Sequence, residues 1–380
     1  MRSRKTVAIE EAVMVRFTAI LAAAFLAAAT AQAGPAQSDI DDAGLSPLSG
    51  LETAAPRLLS SLKIASLSVA ILKDGEIAEA RAWGQASPGQ SATTETLYNV
   101  ASLTKPVSAE VAMRLAALGR ISLDEPMSAY WVDPDVADDP RSGRLTPRLV
   151  MSHRSGLPNW RPAGGGKLSF ITEPGETFGY SGEGFEWLAR FIEAKTDEPF
   201  EDLARALVFE PAAMRDTAYT RRTWFEGRLA VPYDADLNVL APQVADHFFA
   251  SDDLISTPRD YARLLVGMLN KQGVTPDLFA DREKLQTVRR TQTCLADEPG
   301  CVAEDGFGLG WETFLIGGRR FLMHTGMDDG TFTFAYLEPQ TGAGLVLFTN
   351  SANGWKAVLP VLEVTGADAG FIAHLRRSIS

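Results

Sequence analysis

Two apolar strand patterns lie at opposite ends of the chain, and any fold must bring them together. Near the front, Leu67-Ser68-Val69-Ala70-Ile71-Leu72 runs through Lys73-Asp74-Gly75 into Ile77 to Trp83. This reads as a β-hairpin, because Asp-Gly supplies the positive φ that a tight turn requires. Far along the chain come Arg320 to His324, the alternation Thr331 to Tyr336, a turn over Glu338 to Gly342, and the apolar run Leu345 to Phe348. Short strands cannot bury a face alone, so these distant segments predict one antiparallel sheet.

The middle of the chain is punctuated for helices instead. Thr146-Pro147 and Thr257-Pro258 each pair an N-cap with proline at the first helical position, and Phe185, Leu188, Phe191 and Ile192 mark one helix face. Val107, Val111, Leu115 and Leu118 predict a further amphipathic helix over 105–118, with Gly119 as its stop and Ser102 at its start. A helical pattern from Trp355 to Val364 closes the chain. The expected class is therefore α+β: an antiparallel sheet flanked by helices, with an inserted, mostly helical subdomain. In residue numbers, 51–125 plus 256–380 form the α/β region and 126–255 the helical region.

From Met14 the chain carries Arg16, an apolar run from Phe17 to Ala29, and Ala31-Gln32-Ala33 before Gly34. The run is too short to span a bilayer, and a small-x-small triplet suits signal-peptidase cleavage, so residues 1–33 read as a signal peptide. Glu10 and Glu11 fit poorly in a basic leader, which points to Met14 as the translation start. Residues 34–50, rich in Gly, Pro, Ser and Asp, read as a linker. The expectation is a periplasmic or secreted protein without a stable membrane anchor.

Net charge is -12, from 36 Lys+Arg against 48 Asp+Glu. Removal of the leader makes the protein more acidic still. Phosphate recognition needs clustered basic residues, which are missing here, so a small molecule or peptide is the expected partner and nucleic acid is not. Cys294 and Cys301 flank Leu-Ala-Asp-Glu-Pro-Gly. In an oxidising compartment that spacing suits a small disulfide loop; the alternative is two free thiols on a surface loop. His153, His247, His324 and His374 are scattered, no metal-ligand spacing occurs, and neither metal nor cofactor is expected.

Candidate chemistry centres on Ser102-Leu103-Thr104-Lys105. At a helix start, a spacing of three brings the lysine amine towards the serine hydroxyl. Serine needs a neighbouring base to become a nucleophile, and lysine qualifies only where its surroundings favour the neutral amine. Free N–H groups at the helix start can also hold an oxyanion. The same spacing recurs at Ser60-Ser61-Leu62-Lys63, but inside an amphipathic stretch where a polar helix face is the plainer reading. Gly179-Tyr180-Ser181-Gly182-Glu183 lacks the last glycine of a nucleophile elbow, and Gly164-Gly165-Gly166-Lys167 lacks the remainder of a phosphate loop.

Four segments in order, 97–127, 145–160, 176–193 and 307–330, resemble the serine β-lactamase and penicillin-binding protein superfamily. Within it, the likeness is specifically to the class C β-lactamase branch, with the D,D-peptidases and esterases related to it. The resemblance covers about residues 66–352. It implies a β-lactamase/transpeptidase-like fold, with Ser102 as the acylated nucleophile, Lys105 as its proton partner and Tyr180 as the second motif's proton relay. It also implies substrate binding by His324, Thr325 and Gly326, and an oxyanion hole formed by the N–H groups of Ser102 and Met327. His153, in the His-x-Ser-Gly-Leu segment, is implied to be architectural. The resembled third motif reads Lys-Thr-Gly or His-x-Gly, so His324 is a permitted variant; unlike lysine it is largely neutral at pH 7, and carboxylate attraction is expected to be weaker and pH-dependent. The second motif usually reads Tyr-x-Asn, whereas here Gly182 follows Tyr180-Ser181 and cannot supply the amide that positions a substrate amide. The expected function is hydrolysis of esters or D-amino-acid-containing amides through an acyl-enzyme, with weak or no β-lactamase activity. The alternative is a non-hydrolysing binder or sensor with the same fold.

Overall fold

The computed structural model describes residues 46, 48–162, 166–294 and 300–379. The expected leader and most of the 34–50 segment lie outside the described residues. That segment also ends sooner than expected: Leu48 is buried, and Ser49 and Gly50 already belong to α1 (Ser49–Leu62).

The predicted hairpin forms as β1 (Ser66–Lys73) and β2 (Glu76–Ser87), with β3 (Gln90–Ser91) at its edge and β4 (Tyr98–Asn99) leading into the Ser102 region. The next helix, α2 (Thr104–Ala117), is followed by α3 (Pro147–Met151), α4 (Gly182–Thr196) and α5 (Phe200–Ala204). The chain continues with β5 (Ile255–Ser256), α6 (Pro258–Leu269) and α7 (Pro276–Glu283). Six strands come next: β6 (Thr287–Thr291), β7 (Val302–Phe307), β8 (Glu312–Ile316), β9 (Arg319–Asp328), β10 (Thr331–Glu338) and β11 (Ala343–Thr349). Helices α8 (Val358–Val364) and α9 (Ala369–Ile379) close the described chain.

Nine strands form one antiparallel sheet in the order β3-β2-β1-β11-β10-β9-β8-β7-β6. The chain ends meet at β1 and β11, where Leu67 lies opposite Thr349 and Leu72 opposite Gly344. Alternate residues serve opposite cores, as a period of two demands. Val69, Phe334 and Leu347 pack in the core shared with α1, α8 and α9. Ala70, Ala335 and Val346 pack in the core shared with the internal helices.

Three features depart from expectation. Strands β6 to β8 were not anticipated, since β6 (TVRRT) exposes all but its first residue and has no apolar alternation to read. The Cys294–Cys301 disulfide closes the β6–β7 connection. The chain also does not end on the 355–364 helix: Phe371 of α9 stacks on Phe321 with ring centroids 4.9 Å apart.

Helix α2 is the third departure. Its expected apolar stripe included Leu118, which is 61% exposed, whereas every residue from Thr104 to Leu115 is buried. The helix lies against α4 and α5 on the internal side of the sheet, and the turn that precedes it lies against β9, so even its charged members must be neutralised inside. Glu110 meets Arg282 of α7 at 2.8 Å, both side chains 1% exposed. Gly119, with φ +68°, ends the helix as expected, and both Thr-Pro caps form: Thr146 accepts from Leu149 N and Thr257 from Asp260 N.

Candidate active site

Ser102 sits in a 3-10 turn, Ala101–Leu103, that leads directly into α2. Ala101 adopts φ +48°, a region that costs a non-glycine residue about 1–2 kcal/mol. The turn is held by Asn99 Oδ1 accepting from Ala101 N at 2.7 Å and by Thr104 Oγ1 donating to Ala101 O at 2.6 Å. One helical turn on, Lys105 is fully buried. Its Nζ donates to Ser102 Oγ at 2.9 Å and to the Ser251 carbonyl at 2.8 Å. Two fixed acceptors leave the amine little freedom, and one of them is the candidate nucleophile.

Ser251 owes its position to Glu186 of α4. That carboxylate accepts from Ser251 Oγ at 2.6 Å, Ser251 N at 3.0 Å and Ala250 N at 3.3 Å. Burial pushes the Glu186 carboxyl up to about 6, against the lowering effect of those donors. Sequence reasoning missed both residues. Ser251 acts through a backbone carbonyl, which no residue type reveals, and Glu186 is one of several charged residues on an amphipathic helix.

Tyr180 ends the loop before α4, whose N-cap Ser181 accepts from Gly184 N. Its ring lies 4.8 Å from Lys105 Nζ and stacks on His153 with centroids 4.3 Å apart. His153 holds the segment on both sides: its Nδ1 accepts from Ser181 N at 3.1 Å and its carbonyl accepts from Gly179 N at 2.9 Å. Burial, then the Lys105 charge, push His153 well below its usual value, so it stays neutral with the proton on Nε2. This agrees with an architectural role.

Strand β9 brings His324, Thr325, Gly326 and Met327 to the same place. A Cβ on Gly326 would lie 2.2 Å from Val100 O and 3.0 Å from Ser102 N, so only glycine lets the strand approach the Ser102 turn this closely. Strand β8 pairs with β9 only from Arg319 to Met323. Beyond Met323 that edge of β9 has no strand partner among the described residues, while the other edge pairs with β10. The two-residue Gly317-Gly318 hairpin, with both φ positive, makes Ile316 and Arg319 a hydrogen-bonded pair. Alternation then points the backbone groups of Thr325 and Met327 to the open edge.

His324 is buried, with its ring 6.1 Å from that of Tyr180 and its Nδ1 2.7 Å from Thr325 O. Burial, then Lys105, push it down to about 3. The pH-dependent carboxylate attraction expected of His324 is corrected accordingly: it is a neutral ring throughout the working pH range.

The remaining candidates fall elsewhere. Lys63 ends α1 and pairs with Asp236 at 3.0 Å, and Ser60 Oγ donates to Arg57 O, so the second Ser-x-x-Lys is a helix surface. His374 packs against Phe314, away from the cluster, and His247 is exposed beside Phe249.

Fold and site together define a structural class, the β-lactamase/transpeptidase fold. Comparison with known proteins supplies the family: the Beta-lactamase family model matches residues 51–359, and the chain belongs to that family. Among curated relatives, the D-alanyl-D-alanine-carboxypeptidase/endopeptidase AmpH of Escherichia coli K12 is 26% identical over 315 residues, covering 74% of this chain and 78% of AmpH. Esterase EstB of Burkholderia gladioli is 27% identical over 232 residues, covering 52% of this chain and 57% of EstB. Two solved structures share the fold at 20% identity. The octameric penicillin-binding protein homologue from Pyrococcus abyssi has a TM-score of 0.69, covering 86% of this chain and 80% of its own. The class C beta lactamase from Rhodobacter sphaeroides has a TM-score of 0.67, covering 83% and 98%. The chain is thus a member of the serine hydrolase superfamily that holds these proteins. Among the described residues, no helix is long and apolar enough to cross a membrane.

Proposed function

We propose that this protein is an exported serine hydrolase that acts through an acyl-enzyme on esters or on D-amino-acid-containing amides. The observation that carries the reading is the 2.9 Å contact between Lys105 Nζ and Ser102 Oγ, with Lys105 anchored by Ser251. Ser102 Oγ attacks the substrate carbonyl and passes its proton to the Lys105 amine. The oxyanion is held by the N–H groups of Ser102 and Met327. As the intermediate collapses, the Tyr180 phenol protonates the leaving alkoxide or amine and regains a proton through Lys105, leaving the acyl group on Ser102. In deacylation Tyr180 passes its proton to the Lys105 amine and takes one from the attacking water, the resulting intermediate collapses as Lys105 returns a proton to the Ser102 oxygen, and the acid departs. The likeness to AmpH and EstB supports these two substrate classes, and the leader-like residues 1–33 support export.

The test is hydrolysis of a p-nitrophenyl ester by the parent protein and by Ser102→Ala. The reading requires Ser102→Ala to lose at least about a thousandfold in rate. Equal rates would reject it.

A further inference from the structure

Gly182 opens α4 directly after Tyr180-Ser181, and the structure gives a local reason for glycine there. A Cβ at this position would lie 2.8 Å from Asn159 O, 3.2 Å from Trp160 Cη2 and 3.3 Å from Asn159 Oδ1. Asn159 cannot easily withdraw: Gly182 N donates to both Asn159 O and Oδ1 at 3.0 Å, and Glu183 N donates to Asn159 O at 3.1 Å. The far side of Trp160 is equally fixed. Arg161 N donates to Glu183 Oε1 at 2.9 Å, and the Arg161 guanidinium meets Glu183 at 2.7 Å and Asp133 at 2.9 Å. Trp160 is therefore held between two anchors, with its indole in the space beside Gly182.

That indole also faces the chemistry. Its ring centroid lies 5.8 Å from Lys105 Nζ, which is itself 2.9 Å from Ser102 Oγ. These two distances put the ring centroid no more than about 9 Å from Ser102 Oγ, a span that an acyl chain of a few carbons can cover. An apolar acyl chain gains by covering an aromatic face, whereas an amide pressed there without a partner pays for its desolvation.

We propose that Trp160 is a specificity-determining residue that forms an apolar wall for the substrate's acyl group. It selects esters of short, unsubstituted acids over substrates whose acyl α-carbon bears an amide. The inference rests on the acyl-enzyme reading of Ser102 and deepens it.

The test compares kcat/KM for p-nitrophenyl butyrate and for the p-nitrophenyl ester of N-acetyl-D-alanine. The parent protein favours the butyrate. Trp160→Ala lowers the butyrate-to-acylamino ratio by at least about tenfold, the scale of one methylene or more in an apolar subsite. Trp160→Phe keeps the ratio within about threefold, because a smaller aromatic face remains. If circular dichroism shows that Trp160→Ala does not fold, Trp160→Leu is read in its place, with the same direction of change. An unchanged ratio in a folded, active Ala or Leu variant overturns the inference and leaves the Ser102 reading intact. Absence of Ser102-dependent turnover of either ester in the parent protein overturns both.

Discussion

At the residue scale, the site separates groups that face substrate from groups that aim them. His153 belongs to the second kind: through Nδ1 it accepts from Ser181 N, and its ring backs Tyr180. His153→Phe keeps the stack and loses the acceptor, leaving a buried N–H unpaired at a cost of about 1–3 kcal/mol. The expected outcome is a kcat lowered by about tenfold or more at unchanged KM for a p-nitrophenyl ester; a fall confined to thermal stability would contradict this role. His324, pushed down to about 3 by burial and Lys105, stays neutral. The kcat/KM of a carboxylate-bearing substrate therefore has no inflection between pH 5 and 8 that His324→Gln removes, and titrating the variant against the parent checks this. Ser102 and Lys105 were legible from their types and spacing, whereas Tyr180 and His324 were legible only through the resemblance to the family's motifs. Asn159, Trp160, Ser251 and Glu186 were not, because each acts through a backbone group or through a contact that exists only once distant segments have packed.

At the element scale, the decisive contact is β9 against the turn that carries Ser102. Gly326→Ala would put a methyl 2.2 Å from Val100 O and 2.4 Å from Thr333 Oγ1, and backbone cannot move aside cheaply. The strand must shift, and a displacement near 1 Å at such a centre costs about a hundredfold. We expect Gly326→Ala to fold with far-UV circular dichroism close to the parent and to lose about a hundredfold in kcat/KM. Retention of full activity would contradict the proposed oxyanion arrangement. The hairpin, both Thr-Pro caps and the β10–β11 pair could be read locally, since turn residues and a period of two carry them. Strands β6 to β8 could not: β6 and β7 carry mostly polar or small residues, β8 is only five residues long, and all three are fixed by their neighbours in the sheet. The all-round burial of α2 was hidden for a related reason: its charged residues find their partners only in the folded interior.

At the scale of the whole molecule, two apolar cores share one sheet, and neutral histidines are buried in that arrangement. His374 is pushed down to about 4, chiefly by burial. Between that value and its ordinary 6.5 the unfolded chain binds the extra proton, so stability falls as pH drops through this window. From pH 7 to pH 5 the loss from this residue is about 2 kcal/mol. His374→Phe removes it, so thermal unfolding measured at both pH values should show a smaller acid-induced drop in Tm for the variant; equal drops would contradict the assignment. The pairing of β1 with β11 was foreseeable from pattern alone, whereas α9 was missed: Phe371 and Leu375 complete a core drawn from both early and late segments, among them Leu51 and Val361.

The central claim is that Ser102 becomes acylated with Lys105 as its proton partner. Intact mass spectrometry with peptide mapping, after rapid quenching of a reaction with p-nitrophenyl butyrate, tests it directly. The expected result is a transient butyryl adduct on the peptide containing Ser102, absent in Ser102→Ala and strongly slowed in Lys105→Ala. An adduct on another residue, or equal labelling of Ser102→Ala, would contradict it.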